Sequence, residues 1–280
     1  KQGVDDSKKG KKPESAPASI SLAWKRPHGV AEPIPARHLS TSVVSEAYVC
    51  DTPFPPDDRS LGWERGTAIS KAWDQATTSA GIDAATYVVD RLNRLADTKD
   101  DAGDRTEKLK AFCRSLAERG FRRPLTKELE SLYIDKQFAA VSDPDVAVKR
   151  VVLLVLKSPR FLFREVDTER DAYDVAARLS FGLWDTIPDQ ALLDAARDGR
   201  LETKGQVAEF AEKMLQDPRA KAKLRSFLLT WLKAESGIDL SKDPEKYPDF
   251  DAASIADLRT SLELFLDDVL WSEESDYRQL

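Results

Sequence analysis

From Ala85 onward, apolar residues recur every three or four positions. Ala85, Val88, Val89, Leu92 and Leu95 fall on one helical face, and Leu109, Phe112, Cys113, Leu116 and Ala117 repeat the spacing. The rhythm continues through Val207, Phe210, Ala211, Met214 and Leu215, then through Ala220, Leu224, Phe227, Leu228, Trp231 and Leu232. A last stripe joins Ile255, Leu258, Leu262, Phe265, Leu266, Val269 and Leu270. Half-buried strands alternate apolar and polar side chains, and none of these segments does. The pattern predicts an all-α protein, a multi-helix bundle of roughly seven to nine helices.

Capping residues punctuate the same stretch. Asp143-Pro144 and Asp217-Pro218 each place a carboxylate before a proline that suits a first helical turn. Thr126 caps a helix that carries Glu128 near its positive end. Gly120 and Gly199 mark expected helix stops, each after a cation in the last turn.

The first part of the chain reads differently. Residues 1–20 are rich in Lys, Ser, Pro and Gly and read as a tail or linker. Residues 21–83 read as an extended, Pro-rich N-terminal arm. In it Pro27, Pro33, Pro35, Pro53, Pro55 and Pro56 interrupt regular structure, while Leu22, Trp24, Val43 and Val44 serve as anchors. Thr41–Val49 admits one short strand. Residues 84–166 form a first helical group and 167–280 a second, divided near the charged Glu165–Asp171 segment.

Composition narrows the function classes. The charged share is 33% and the longest aliphatic run, Val151–Leu156, is far shorter than the roughly 20 residues of a membrane span. The opening KQGVDDSKKGKK lacks an apolar signal-peptide core, so a targeting segment is expected to be absent or removed. From Glu235 to Leu280 thirteen acidic residues face four basic ones, a net of −9 in a chain whose total is −6. Such a region repels a phosphate backbone, which argues against nucleic-acid binding.

Two cysteines, Cys50 and Cys113, and two histidines, His28 and His38, limit the chemistry available. No finger-like zinc spacing, no CxxCH, GxSxG, P-loop, GxGxxG or HExxH is present. The pattern therefore assigns no catalytic residue, no cofactor site and no metal site. His28 and His38 read as arm histidines. Asp51, Asp57 and Asp58, and Asp243, Glu245, Asp249 and Asp251, read as solvated turn residues rather than a calcium loop. Cys50 and Cys113 admit two readings. Either they are unrelated thiols, or they form a disulfide that pins the arm to the body and closes a loop worth about 4 kcal/mol.

The strings Phe121–Thr126 (FRRPLT) and Ser158–Glu165 (SPRFLFRE) stand out. Each reads as a helix junction whose arginines can satisfy orphan carbonyls or pair with acids. Arg122, Arg123, Arg160 and Arg164 are accordingly candidate anion or partner contacts, with a purely structural role as the competing reading.

Together with AARLSFGLWDTIPDQALLDAARDGRL, MLQDPRAKAKLRSFLLTWL and YPDFDAASIADLRTSLELFLDDVL, these strings resemble the helical core of large secreted proteins. Such proteins are abundant in planctomycetes and related bacteria. They carry serial domains of unknown function, often beside a cytochrome-c-like domain. The resemblance spans about residues 47–280 and transfers no catalytic residue. It implies a periplasmic, cell-envelope or extracellular location, where a Cys50–Cys113 disulfide would persist. It also implies that the chain continues beyond Leu280, and that any haem c belongs to another domain or partner.

The leading expectation is a non-catalytic helical scaffold or docking module of an envelope assembly, in contact with other protein chains or domains. One alternative is an enzyme, either an oxidoreductase partner or a polysaccharide-active hydrolase. Another is a glycan-binding module built on exposed members of Trp24, Trp63, Trp73, Trp184, Trp231 and Trp271. Trp231 and Trp271 lie on or beside core stripes, which favours packing roles for them.

Overall fold

The structure is a computed structural model that describes residues 23–25, 31–33, 47–55, 70–164, 170–234, 242–243, 245–247, 250–272 and 278. The tail, His28, His38, Asp57, Asp58, Trp63, Asp249 and most of the Thr41–Val49 stretch lie outside these residues; Ala47–Val49 carries no regular structure. The chain divides into two compact units, Ser45–Leu228 and Lys1–Val44 with Leu229–Leu280. The architecture is all-α apart from a minimal antiparallel pair.

The larger unit begins with α1 (Lys71–Val89), then the single turn α2 (Leu92–Leu95) and α3 (Arg105–Phe121). One continuous helical stretch follows, made of α4 (Lys127–Glu130), a π turn (Ser131–Asp135) and α5 (Lys136–Ala139). Next come α6 (Pro144–Lys157), the single turn α7 (Pro159–Leu162), α8 (Ala172–Leu183), α9 (Gln190–Arg197), α10 (Lys204–Leu215) and α11 (Pro218–Trp231), of which the residues to Leu228 belong to this unit. Among the described residues, eight helices including α12 (Ala252–Trp271) run for eight residues or more.

Helix α1 starts at Lys71, inside the segment expected to be an extended arm. Its sequence is alanine- and threonine-rich, so the apolar stripe that marks other helices is weak there. Small side chains are what its packing needs. A Cβ at Gly81 would lie 3.0 Å from Leu153 Cδ1, so α1 and α6 approach closely and run antiparallel. Lys157 at the end of α6 closes this pair, donating to Asp74 Oδ1 at 2.7 Å and to Thr77 Oγ1 at 3.2 Å. The stripe from Ala85 to Leu95 also breaks at Asp90-Arg91, where α1 stops, and Leu95 is exposed.

The first core gathers Leu109, Cys113, Ala117, Ile134, Val148, Val151, Val152 and Val155 from α3, the π turn and α6. Arg105, nearly buried at the start of α3, ties this core to α6. It donates to Asn93 and pairs with Asp145 at 2.7 Å and with Asp100 at 3.2 Å. A second core joins Ala176, Leu192, Ala195, Ala196, Leu201 and Met214 from α8, α9, α10 and the turn before α10. Part of the arm lies on α1, with the Tyr48 ring 4.8 Å from Tyr87 and Thr52 Oγ1 donating to Asp83 at 3.4 Å.

The smaller unit contains the pair β1 (Ala23–Lys25) and β2 (Ala31–Pro33), in register Ala23↔Pro33, Trp24↔Glu32 and Lys25↔Ala31. Helix α12 packs on β2.

Several expectations change in detail. Helix α3 runs through Gly120 to Phe121, and the left-handed stop is Arg122 at φ 61°. Gly120 serves close approach instead, since a Cβ there would lie 3.3 Å from Val155 Cγ1 and 3.5 Å from Phe161 Cδ2. Gly199, at φ 70° after α9, is a stop of the expected kind. Trp231 is 52% exposed rather than a core residue, and Phe227 one turn earlier is exposed with it. In this structure Cys50 and Cys113 are free thiols, Cys50 exposed and Cys113 buried. Cys113 sits on the apolar stripe of α3, and burial pushes its thiol up to about 12.

Two measurements check this packing. Gly120→Val should cost about 1–3 kcal/mol in urea unfolding through overpacking. Gly182→Ala, where a Cβ meets nothing within 4 Å, should instead gain about 0.5–1 kcal/mol. In native protein at mildly alkaline pH, iodoacetamide should label Cys50 within minutes and reach Cys113 only after denaturant is added; mass spectrometry of the peptides reads both.

Candidate functional site

The two distinctive junction strings meet each other. Phe121–Thr126 leaves the end of α3, and Ser158–Arg164 carries the turn from α6 into α7. Ser158 caps α7, its Oγ accepting from the Arg160 amide at 3.2 Å and bonding the Tyr133 hydroxyl at 2.8 Å. The π turn that carries Tyr133 was not expected, because helix propensity and apolar spacing do not distinguish it from ordinary helix.

Arg122 is only 5% exposed and occupies the centre of the junction. Its Nη1 donates to the Gly120 carbonyl at 3.0 Å and to the Phe161 carbonyl at 3.3 Å. Its Nη2 donates to the Arg160 carbonyl at 2.7 Å and to the Phe163 carbonyl at 2.8 Å. One guanidinium thus serves acceptors from the end of α3 and from the α7 turn at once. Burial, followed by the neighbouring Arg123 charge, lowers its pKa, with Asp174 opposing and Arg164 reinforcing the effect.

Arg123 points the other way, toward the start of α8. It donates to Asp171 at 3.1 Å and to Asp174 at 2.7 Å. These two acids form the capping box of α8, in which Asp171 accepts from the Asp174 amide at 3.0 Å and Asp174 accepts from the Asp171 amide at 3.1 Å. The charged segment read as a division therefore ends in a residue that Arg123 grips from α3.

The four candidate arginines, Arg122, Arg123, Arg160 and Arg164, converge on one small cleft of about 20 Å³ whose lining includes one acid, Asp174. The guanidinium carbons of Arg122 and Arg164 each lie 5.7 Å from the centre of the Phe181 ring. A second, larger cleft of about 190 Å³ opens between α3 and α9, edged by Arg119, Tyr173 and Arg197. Burial raises the Tyr173 phenol.

A further knot sits at the α10–α11 turn. Asp217 caps α11, accepting from the Arg219 amide at 2.9 Å, and pairs with the Arg219 guanidinium at 2.9 and 2.8 Å. That guanidinium stacks 3.5 Å above the Trp184 ring, whose Nε1 donates to the Met214 carbonyl at 3.0 Å. The Arg219 side chain holds the Asp217 carboxyl down to about 2. Sequence reasoning saw the cap and missed the stack, because nothing in a linear string shows that Trp184 and Arg219 face each other.

Two of the acidic residues read as turn residues make local hydrogen bonds to backbone amides. Asp243 accepts from the Glu245 amide at 3.0 Å, and Asp251 caps α12 by accepting from the Ser254 amide at 2.8 Å. Among the described residues no group of three or more His, Cys, Asp and Glu is placed to hold a metal ion, and no helix is long and apolar enough to cross a membrane.

Residues 171–280 match the family PSD4, a protein of unknown function (DUF1592). The match opens at Asp171, the capping residue of α8 that Arg123 holds, and takes in the Trp184–Arg219 knot and α12. No curated protein and no solved structure matches the chain.

The junction gives a direct contrast in stability. Arg122→Met strands buried carbonyls and should cost about 3 kcal/mol or more in urea unfolding. Arg119→Met, at an exposed arginine on the same helix, should change stability by less than about 0.5 kcal/mol.

Proposed function

We propose that this chain is a non-catalytic helical docking module of a larger assembly in the cell envelope or outside the cell. The observation that carries the reading is the second apolar face of α12. Ala256, Leu266 and Val269 are buried, yet Leu258, Leu264 and Phe265 stay 54%, 62% and 47% exposed. A helix apolar on two sides normally has neighbours on both.

Asp257 and Asp268 are exposed on the same side as these three residues. The suited partner is a protein surface with an apolar centre bordered by lysines or arginines, since opposite charge at a rim speeds and orients association. A haem-c electron-transfer domain elsewhere in the assembly fits the resemblance of the helical strings.

The titratable groups also support a binding role over an acid–base one. Where carboxylates shift, they shift down: Asp217 under Arg219, Glu209 under Lys213, and Glu128 under its own backbone amide and the Thr126 hydroxyl. Carboxylates held this way stay ionised near neutrality and are not poised to deliver protons. A glycan platform of the kind considered needs at least two exposed tryptophans, and Trp231 is the exposed one among the described residues.

Photo-cross-linking in cells that make the native polypeptide tests the reading. A benzophenone amino acid at Leu258 or Phe265 should yield one discrete adduct of the same partner polypeptide, weakened by salt. The same probe at Glu212, on α10, should yield none. Equal labelling from all three positions, or none from any, would overturn the docking role.

A further inference from the structure

We propose that the groove between α8 and α10 binds a single-chain zwitterionic lipid, with the acyl tail along the two helices and the head at the start of α10. The site lies within the larger unit and does not depend on the docking role of α12.

The groove measures about 690 Å³, within the usual range of ligand sites, and opens to solvent. Its room comes from small residues, Gly182 on α8 with Ala208 and Ala211 on α10. A Cβ added at Gly182 would meet nothing within 4 Å. Leu179 and Leu183 of α8, Val207 of α10 and the buried Leu201 supply the apolar lining. Helix α8 already buries Ala176 and Ala177 on its other side, so it is apolar on two sides and suited to a neighbour on both. Every apolar side chain that lines the groove is aliphatic, which favours contact with methylenes over ring stacking.

On α10 the polar lining groups keep to one end. Glu202, Thr203 and Lys204 are consecutive at its start, and the apolar stretch then runs ~10 Å along the helix to Ala211. Thr203 is spent on its capping box with Gln206. Among the described residues neither Glu202 nor Lys204 has an ion pair. Arg178 of α8 lines the groove too and has partners of its own. One charge of each sign at the end of an aliphatic trough complements a head that carries both. Phosphoethanolamine is such a head, with its ammonium toward Glu202 and its phosphate toward Lys204.

Isothermal titration calorimetry of the intact chain with lysophosphatidylethanolamine, kept below its micelle concentration, tests the proposal. The wild type should take up one molecule per chain. Gly182→Phe and Ala208→Phe fill the groove from either helix. With folding checked by circular dichroism, each should weaken binding about tenfold or more. Glu202→Gln and Lys204→Gln, at exposed positions, should each weaken it about threefold. Leu258→Asp, on α12, should leave it unchanged. A fatty acid of the same chain length should bind less tightly than the zwitterion. No saturable uptake by the wild type would overturn the proposal, as would unchanged affinity in both folded groove variants. Tighter binding of the fatty acid would overturn it too, because the head would then be an anion.

Discussion

The carbonyls in a helix's last turn have no partner within the helix, and when the turn is buried no water replaces one. At the end of α3 the Arg122 and Arg123 amides serve the Arg119 and Glu118 carbonyls, and the Arg122 side chain serves that of Gly120. Arg122 takes up a left-handed backbone conformation, unfavourable for a residue with a Cβ, and thereby turns its guanidinium back onto the carbonyls of Gly120, Arg160, Phe161 and Phe163. Glycine would adopt the same backbone without strain but would supply no donors. Beside it, Gly120 lets α3 approach α6 and the α7 turn, within 3.3 Å of Val155 and 3.5 Å of Phe161 for an added Cβ.

The next residue extends the connection. Arg123 binds both acids of the α8 capping box, so the end of one helix and the start of another are held by one charge-assisted network. The second core is closed by a similar device, in which Arg219 completes the cap made by Asp217 while covering Trp184. In both places an arginine adjacent to a proline-bearing turn does the joining, because its planar fork can serve several acceptors at once. This is why the conspicuous strings of the chain are junctions and not the middles of helices.

Such joints brace the larger unit, and α12 belongs to the smaller one. The cores are small and each is closed by polar ties, whereas α12 leaves leucine and phenylalanine exposed between aspartates. The free energy that hydrophobic burial still offers on that helix lies in association, which is the physical content of the proposed docking role.

The sequence by itself determined the helical class, the caps at Asp143, Thr126 and Asp217, and the stop at Gly199, because each depends on residues within a few positions of one another. Tertiary structure decided the rest. Helix α1 was hidden because its small residues carry little apolar contrast, though they are what lets α6 approach. Gly120 looked like a stop and is a contact, and only the neighbouring helix shows the difference. The stripes on α11 and α12 were legible as helical, but periodicity cannot say which of their apolar residues find a neighbour. Arg122, Arg123, Arg160 and Arg164 stood out in the string, yet their division into one carbonyl donor, one grip on α8 and a shared cleft arises from packing between segments some forty residues apart, a separation that local spacing does not encode.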